Sequence, residues 1–400
     1  MFSNFDLNLF YSDNYYDGSI DTTLNEISSL YFEGYHRTES EIRKENAVKE
    51  RLFGGNVTYL NRGVRIGILY WMSTFSKNIG ADSLTKLYSF SGNKANMLSF
   101  YYDFVFRNMN FFGEIARSQD GAVAGLGAVQ FTFYKIADLI FLYRNYPENF
   151  APVHSFGFGE KSGNTQNESG LYAGITIRPF KGLVINSYFD QYKFPYRSYF
   201  EPVPLVGNDF LLNTEWKVTR NLTLSVKYRN ETKEESRTIT DEFNRQIKVI
   251  DARNQLNIRT GFIYEISDRF SVRGRFDYIY VSYEKFGGNN KGFMAFSNFR
   301  AIPLSRLVID FRVIYFKTDS YDSRLYEYEN DIKGVMTNIA LYGQGRRWYI
   351  LVRYKPFNFF EINAKYSETY IDGAKTIGSG NDEIRGDINN RLNLGIEINF

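Results

Sequence analysis

The sequence predicts an all-β chain, an antiparallel transmembrane β-barrel of the outer-membrane kind with about 16–20 strands. One short helical insertion is expected near residues 38–49. Three observations carry this. Apolar and polar residues alternate in segment after segment, long aromatics stand opposite full charges, and tight turns alternate with long polar connections. Strict alternation makes a strand with one apolar and one polar face. In a soluble sandwich the apolar face is the inner one; in a membrane barrel it meets lipid and the charged face turns inward.

Composition supports strands. The 400 residues include 32 Tyr and 37 Phe but only 8 Pro and no Cys. Aromatic richness with few prolines favours sheet. Without Cys there is neither a disulfide scaffold nor a Cys-ligated zinc site. The formal net charge of +3 makes no case for a nucleic-acid-binding surface. No charge-free apolar run approaches the roughly 18 residues of a membrane helix. The longest candidate, residues 121–134, is too short and too rich in small residues. A chain of this kind crosses a membrane with strands or not at all.

In chain order, the first strand-like segment is residues 2–12, with Phe2, Phe5, Leu7, Leu9 and Tyr11 on an imperfect apolar face. It has no basic region and no small-residue cleavage site, so it is not a signal peptide. A leader and further residues are expected upstream of Met1, and residues 1–400 are read as one barrel domain truncated at its N-terminus. In HRTESEIRKENAVKER, Thr38 suits a helix N-cap and Glu41 its capping-box partner. Further on, Leu222, Leu224, Val226 and Tyr228 oppose Thr223, Ser225, Lys227 and Arg229. Leu256, Ile258, Phe262 and Tyr264 oppose Asn257 and Arg259, and Phe270, Val272, Phe276, Tyr278 and Tyr280 oppose Ser271, Arg273, Arg275 and Asp277. Phe360, Ile362, Ala364 and Tyr366 oppose Glu361, Asn363 and Lys365.

Tight connections are expected at Asn61–Gly63, Pro179–Gly182, Asn221, Asp268, Pro303 and Pro356. Long ones are expected over residues 80–95, 146–169, 231–246 and 372–387. Short turns at one end and long loops at the other are the outer-membrane pattern. Aromatic pairs at strand ends (Tyr70 and Trp71, Tyr143 and Tyr146, Trp348 and Tyr349) suit interfacial girdles. In the last strand Leu392, Leu394, Ile396, Ile398 and Phe400 alternate with polar residues. An ending of this type resembles the C-terminal signal by which barrel assembly machinery reads an exposed edge strand, and the segment is expected to lie antiparallel beside the first strand.

Several stretches resemble the barrel region of large helix-hairpin-helix-containing outer-membrane proteins of Gram-negative bacteria. They are GYHRTESE (residues 34–41), FFGEIA (111–116), RNYPENFAPVHSFGFGE (144–160), NESGLYAGI (167–175), YFDQYKFP (188–195), YENDI (328–332), GQGRRWYILVRY (343–354) and IGSGNDEIRG (377–386). The resemblance covers nearly the whole chain. It implies a barrel in the outer membrane, with lipid and the assembly machinery as partners and no settled cargo or plug. The family's DNA-touching modules have no counterpart here, so nucleic-acid binding is not carried over.

Candidate chemistry is sparse. His36 lies near Glu39 and Glu41, and His154 lies beside Ser155. A barrel-embedded hydrolase would need one of them in hydrogen-bond reach of a nucleophile and an orienting acid. The glycines at 157–163 lack the strand-loop-helix frame of a phosphate loop, and the oxygens at 378–383 lack EF-hand spacing. No catalytic, cofactor or metal residue is assigned. Candidate lumen-lining residues are Lys227, Arg229, Arg259, Arg273, Arg275, Arg353, Lys355 and Lys365, with Asp277, Asp310, Glu361 and Glu397 as partners. They could form a pore with a mild anion preference. With both signs present, a charge ladder that rigidifies the wall is favoured. The resulting reading is a non-enzymatic outer-membrane barrel serving as a porin-like passage or surface scaffold. The hydrolase and a soluble all-β binding protein are the alternatives.

Overall fold

Nineteen strands form one sheet, and its hairpins are built by turns whose sequences force them. The structure is a computed structural model and describes residues 4–80, 88–161, 165–378, 380 and 383–398. The described chain divides into two compact units. One comprises residues 1–175, 188–208 and 234–250; the other comprises residues 176–187, 209–233 and 251–400.

The first unit holds β1 (Phe5–Asp21), β2 (Glu26–Tyr31), α1 (Glu39–Ile42), β3 (Val48–Asn61), β4 (Val64–Ile79), β5 (Gly92–Phe106), β6 (Met109–Ser118), β7 (Val123–Phe133) and β8 (Ala137–Tyr146). Strands β3 to β8 each pair antiparallel with the next. β1 pairs with β3 over Phe5 to Tyr16 and with β2 over Asp17 to Asp21. β2 and β3 therefore share one position along the sheet, interrupted by the excursion that carries α1. Residues of both units occur in β9 (Glu168–Ile177), β10 (Leu183–Phe194), β11 (Leu205–Lys217), β12 (Leu222–Thr240) and β13 (Gln246–Ser267).

The second unit adds β14 (Phe270–Tyr283), β15 (Asn290–Leu304), β16 (Leu307–Thr318), the 3-10 turn η1 (Tyr321–Ser323), β17 (Leu325–Glu329), β18 (Thr337–Leu341), β19 (Gln344–Phe357), β20 (Phe360–Ile371), β21 (Thr376–Ile377), β22 (Ile384–Arg385) and β23 (Ile388–Ile398). Its sheet runs antiparallel through β13, β14, β15, β16, β19, β20 and β23. The hairpins β17–β18 and β21–β22 are separate two-stranded sheets in the connections.

Burial inverts that of a soluble protein. On β23, Leu394 and Ile396 are each 69% exposed. On β12, Leu224, Val226 and Tyr228 are exposed while Lys227 and Arg229 are partly buried. On β20, Lys365 is 2% exposed. Apolar side chains outward and charged side chains inward is the arrangement of a strand set whose outer solvent is lipid. With antiparallel pairing and alternating short and long connections, it defines an antiparallel outer-membrane β-barrel.

All six expected tight connections join paired strands or adjacent strand ends, and Arg107–Asn108 and Tyr134–Ile136 make two more. Gly63 sits at φ +82° in the first of them, a left-handed conformation that side chains avoid.

Several expectations need correction. The helical insertion is a single turn, Glu39–Ile42, rather than residues 38–49. Its capping box is as expected, with Thr38 accepting from the Glu41 N–H and Glu41 answering Thr38. It buries no residue, so nothing offsets the cost of nucleating a longer helix. Residues 231–240, expected as loop, continue β12, and β13 begins at Gln246. The connection is only residues 241–245, closed by Asp241 and Arg245. The aromatic pairs split between faces, because neighbours on a strand point opposite ways. Tyr70 and Tyr143 are exposed, while Trp71, Tyr146 and Tyr349 are buried. Phe2 and Phe400, with parts of the segments at 80–95, 157–163 and 378–383, lie outside the described residues.

Candidate functional site

Residues 319–343, between β16 and β19, fold back over the inner face of the second unit. The sequence dictates how they hold. In LYEYE, alternation places Leu325, Glu327 and Glu329 on one side of β17 and Tyr326 and Tyr328 on the other. The first three are buried and the tyrosines are exposed. Leu325 and Leu341 complete an apolar cluster with Ile279, Val281, Met294, Phe296, Ile314 and Phe316, all inward residues of β14, β15 and β16. Beyond this patch the contacts become ionic. Glu327 pairs with Arg312 and Arg275. Arg347 forks onto both oxygens of Glu329 at 2.6 and 2.9 Å, a bidentate charge-assisted pair. Lys365 Nζ lies 3.0 Å from Glu329 and 2.7 Å from Asp331. Farther along, Lys333 pairs with Glu397 of β23. The segment is thus pinned to strands from β14 to β23.

Asp331 lies in the loop after β17. Burial works to raise its carboxyl, but hydrogen bonds from Lys365, Thr337 and the Ile332 N–H outweigh burial and hold its pKa below the ordinary value. Arg312 also packs over the ring of Phe296 at 4.4 Å and Lys365 over Tyr349 at 4.6 Å, so two of the cations that meet the segment are seated on aromatic faces.

Beside this segment is a polar cavity of about 230 Å³. β12 contributes Lys227 and Arg229; β13 contributes Arg253, Gln255, Asn257 and Arg259, alternate residues that share a face. Asp277 and Tyr278 come from β14, and Asp322, Arg324 and Tyr326 come from the in-folded segment.

Of the candidate lumen-lining residues, the structure brings Lys227, Arg229 and Arg259 together in this cavity. Arg275 and Lys365 bind the in-folded segment. Arg353 pairs with Asp310, which is fully buried. Arg273 and Lys355 are exposed near the tight-turn ends of β14 and β19 and join none of these clusters. Arg312, Arg347, Glu327 and Glu329 were not singled out from the sequence. The available signal was the unbroken apolar character of YIYV at 278–281 and VIYF at 313–316, which marks strands covered on both faces.

The first unit has its own in-folded connection, described over residues 147–161 and 165–167. Phe150 and Ala151 enter an apolar cluster with Trp71, Phe75, Phe90 and Tyr146. At its base Arg144, 0% exposed, binds Glu168 at 2.7 Å and Asp190 at 2.8 and 3.1 Å. Glu168 also accepts the Glu160 and Lys161 N–H groups. Gly170 is required here, because an added Cβ would stand 2.5 Å from Arg144 Cζ.

His154, in this connection, bonds Glu50 at 2.7 Å and meets the edge of Trp71. His36 bonds Asp17 at 2.8 Å. Each histidine therefore has an acidic partner, and neither has a hydroxyl nucleophile in hydrogen-bond contact among the described residues. Among those residues no group of three His, Cys, Asp or Glu is arranged to hold a metal ion.

No family model matches the chain, and no curated protein matches it. Solved structures similar to it are outer-membrane proteins. Outer-membrane expressed OmpT of Vibrio cholerae is 9% identical at a TM-score of 0.39, covering 88% of this chain and 98% of its own. OccK8 (OprE) of Pseudomonas aeruginosa is 10% identical at 0.39, covering 98% and 97%. FpvA of P. aeruginosa, bound to heterologous pyoverdines, is 11% identical at 0.48, covering all of this chain but 63% of its own. These likenesses are too distant to argue from. The inverted burial and antiparallel pairing themselves place the chain in the outer membrane of a Gram-negative bacterium.

Proposed function

We propose that this protein is a non-enzymatic outer-membrane passage whose inner face is narrowed by its own in-folded connections. The observation that carries this is the pinning of residues 319–343 by Glu327 and Glu329 to inward cations of the sheet. Buried charge pairs of this kind fix a segment in place while leaving a polar cavity at its side. A surface scaffold has no use for a polar cavity on its inner face. The histidines support no hydrolase, because each carries an acid partner without a nucleophile.

Folded protein inserted into planar lipid bilayers tests the reading. Discrete conductance steps are expected. A folded, inserted chain that passes no ions would favour the scaffold.

The narrower placement, as the C-terminal barrel region of a helix-hairpin-helix-containing protein, rests on the stretches quoted above. Two of them, residues 144–160 and 328–332, contribute to the in-folded connections. A native chain that carries such a module upstream would support it, and one without any would remove it.

A further inference from the structure

We infer that the cavity beside the in-folded segment is a binding site for a small multivalent oxyanion, an organic carboxylate or phosphate. The inference rests on the passage reading and names what the passage would select.

Where the sheet of this unit meets the in-folded segment, cations and carboxylates are matched. Arg312 and Arg275 meet Glu327, Arg347 and Lys365 meet Glu329, and Arg353 meets Asp310. The cavity breaks that rule. Lys227, Arg229, Arg253, Arg259 and Arg324 line it, against the two carboxylates Asp277 and Asp322. Both carboxylates are engaged. Asp277 accepts from Arg259 and Arg275, and Asp322 accepts from the Tyr283 hydroxyl. Arg229 is held by Asp209 and Glu231 outside the lining. Lys227 and Arg253 have no carboxylate partner among the described residues; Arg253 donates to Gln255, which donates in turn to Asn257.

Unmatched cations crowded into a concave, partly desolvated site repel one another, and an anion relieves that repulsion. The donors suit oxygen. Arg253 and Arg324, which no carboxylate holds among the described residues, offer guanidinium N–H donors, Lys227 supplies a point charge, and Gln255 and Asn257 supply amide dipoles. Tyr326 gives the wall an aromatic part that an organic backbone can lie against. A volume of about 230 Å³ admits a small metabolite and excludes a folded peptide or a nucleic-acid strand.

The full chain, folded in detergent micelles, is titrated calorimetrically with citrate and separately with inorganic phosphate at constant ionic strength. Saturable one-site binding of at least one anion is expected. The double variant Lys227→Gln, Arg253→Gln should weaken it about tenfold or more, the equivalent of one charge-assisted hydrogen bond. Neither residue holds a carboxylate, so the variant strands no buried charge. Arg253→Lys keeps the charge and should bind more tightly than Arg253→Gln, which guards against a mere folding defect. Lys135→Gln, in a tight turn of the other unit, should bind as the parent does. Absence of saturable binding by the parent, or equal affinity in the double variant, overturns the site. A chain that conducts in bilayers yet binds neither anion keeps the passage and loses the site. Binding without conductance does the reverse.

Discussion

Arg347 of β19 donates through Nε and Nη2 to both carboxylate oxygens of Glu329, at 2.6 and 2.9 Å, with Glu329 on a segment that is not part of the wall sheet. Both side chains are buried. Breaking a buried pair by removing one partner leaves a charge without compensation, at a cost of about 3–5 kcal/mol. Glu329→Ala strands Arg347 and weakens the hold on Lys365. It should free residues 319–343, which become cleavable by protease in the folded protein, while the wall strands stay protected. In planar bilayers the same variant should show larger or noisier conductance steps than the parent. Unchanged proteolysis would mean that the pairs of Glu327 and Asp331, with the apolar contacts of Leu325 and Leu341, hold the segment without Glu329.

The pH response of this segment follows from Asp331. Its folded-state pKa is depressed from the ordinary 3.8, because donors led by Lys365 outweigh the effect of burial. A depressed carboxyl contributes stability that is fully present above its unfolded pKa and is lost as pH falls through the folded value. The parent should therefore be more stable than Asp331→Asn at neutral pH. That difference should hold down to about pH 4 and shrink below it. Denaturant titrations of both proteins from neutral to strongly acid pH check this. A difference that vanishes well above pH 4 would assign the effect to another group.

In the first unit, Arg144 stands between two carboxylates, Glu168 and Asp190. Arg144→Met leaves both without it and should cost about 3–5 kcal/mol. Gly170→Ala tests the same seat from the other side. Its Cβ would meet the guanidinium at 2.5 Å, so Arg144 must move. Both variants should expose residues 147–161 to protease. If Gly170→Ala melts as the parent does, the guanidinium has room that the packing denies.

What was legible in the sequence was whatever local periodicity encodes. Lys227 and Arg229 against Val226 and Tyr228, or Lys365 against Ala364 and Tyr366, show their faces through period-2 alternation alone. Tight turns such as Arg62–Gly63 are written in their residue types. The in-folded segments were not legible, because residues 147–167 and 319–343 are polar and rich in turn residues, like solvent-exposed loops. Their anchors, such as Arg275 with Glu327, lie far apart in sequence and meet only through sheet register. The cationic cavity was half legible. The inward cations of β12 and β13 were identifiable, but Arg324 and Tyr326 belong to the in-folded segment and could not be placed beside them. Pairs across neighbouring strands, as a charge ladder requires, join Arg259 to Asp277 and Arg353 to Asp310, whereas Arg275 and Lys365 reach the in-folded segment instead, and Lys227 has no ion pair among the described residues.

The outward face of β23 gives the most direct test of the membrane reading. Leu394 lies near the middle of the strand, opposite Ala364 of β20, and is largely exposed. Its neighbour Asn393 faces the other way, opposite the buried Lys365. If exposure means lipid, Leu394→Arg forces a charge into hydrocarbon and should cost about 2–4 kcal/mol, the range for a midplane arginine on a barrel's outer face. Asn393→Ser changes a side chain on the inner face and should stay within about 0.5 kcal/mol. Urea titrations of both variants, folded into phosphatidylcholine vesicles, separate the outcomes. In an aqueous setting the exposed Leu394 would accept arginine at little cost. A small loss for Leu394→Arg would thus mean that β23 presents its leucines to water, contrary to the inverted burial on which the membrane assignment stands.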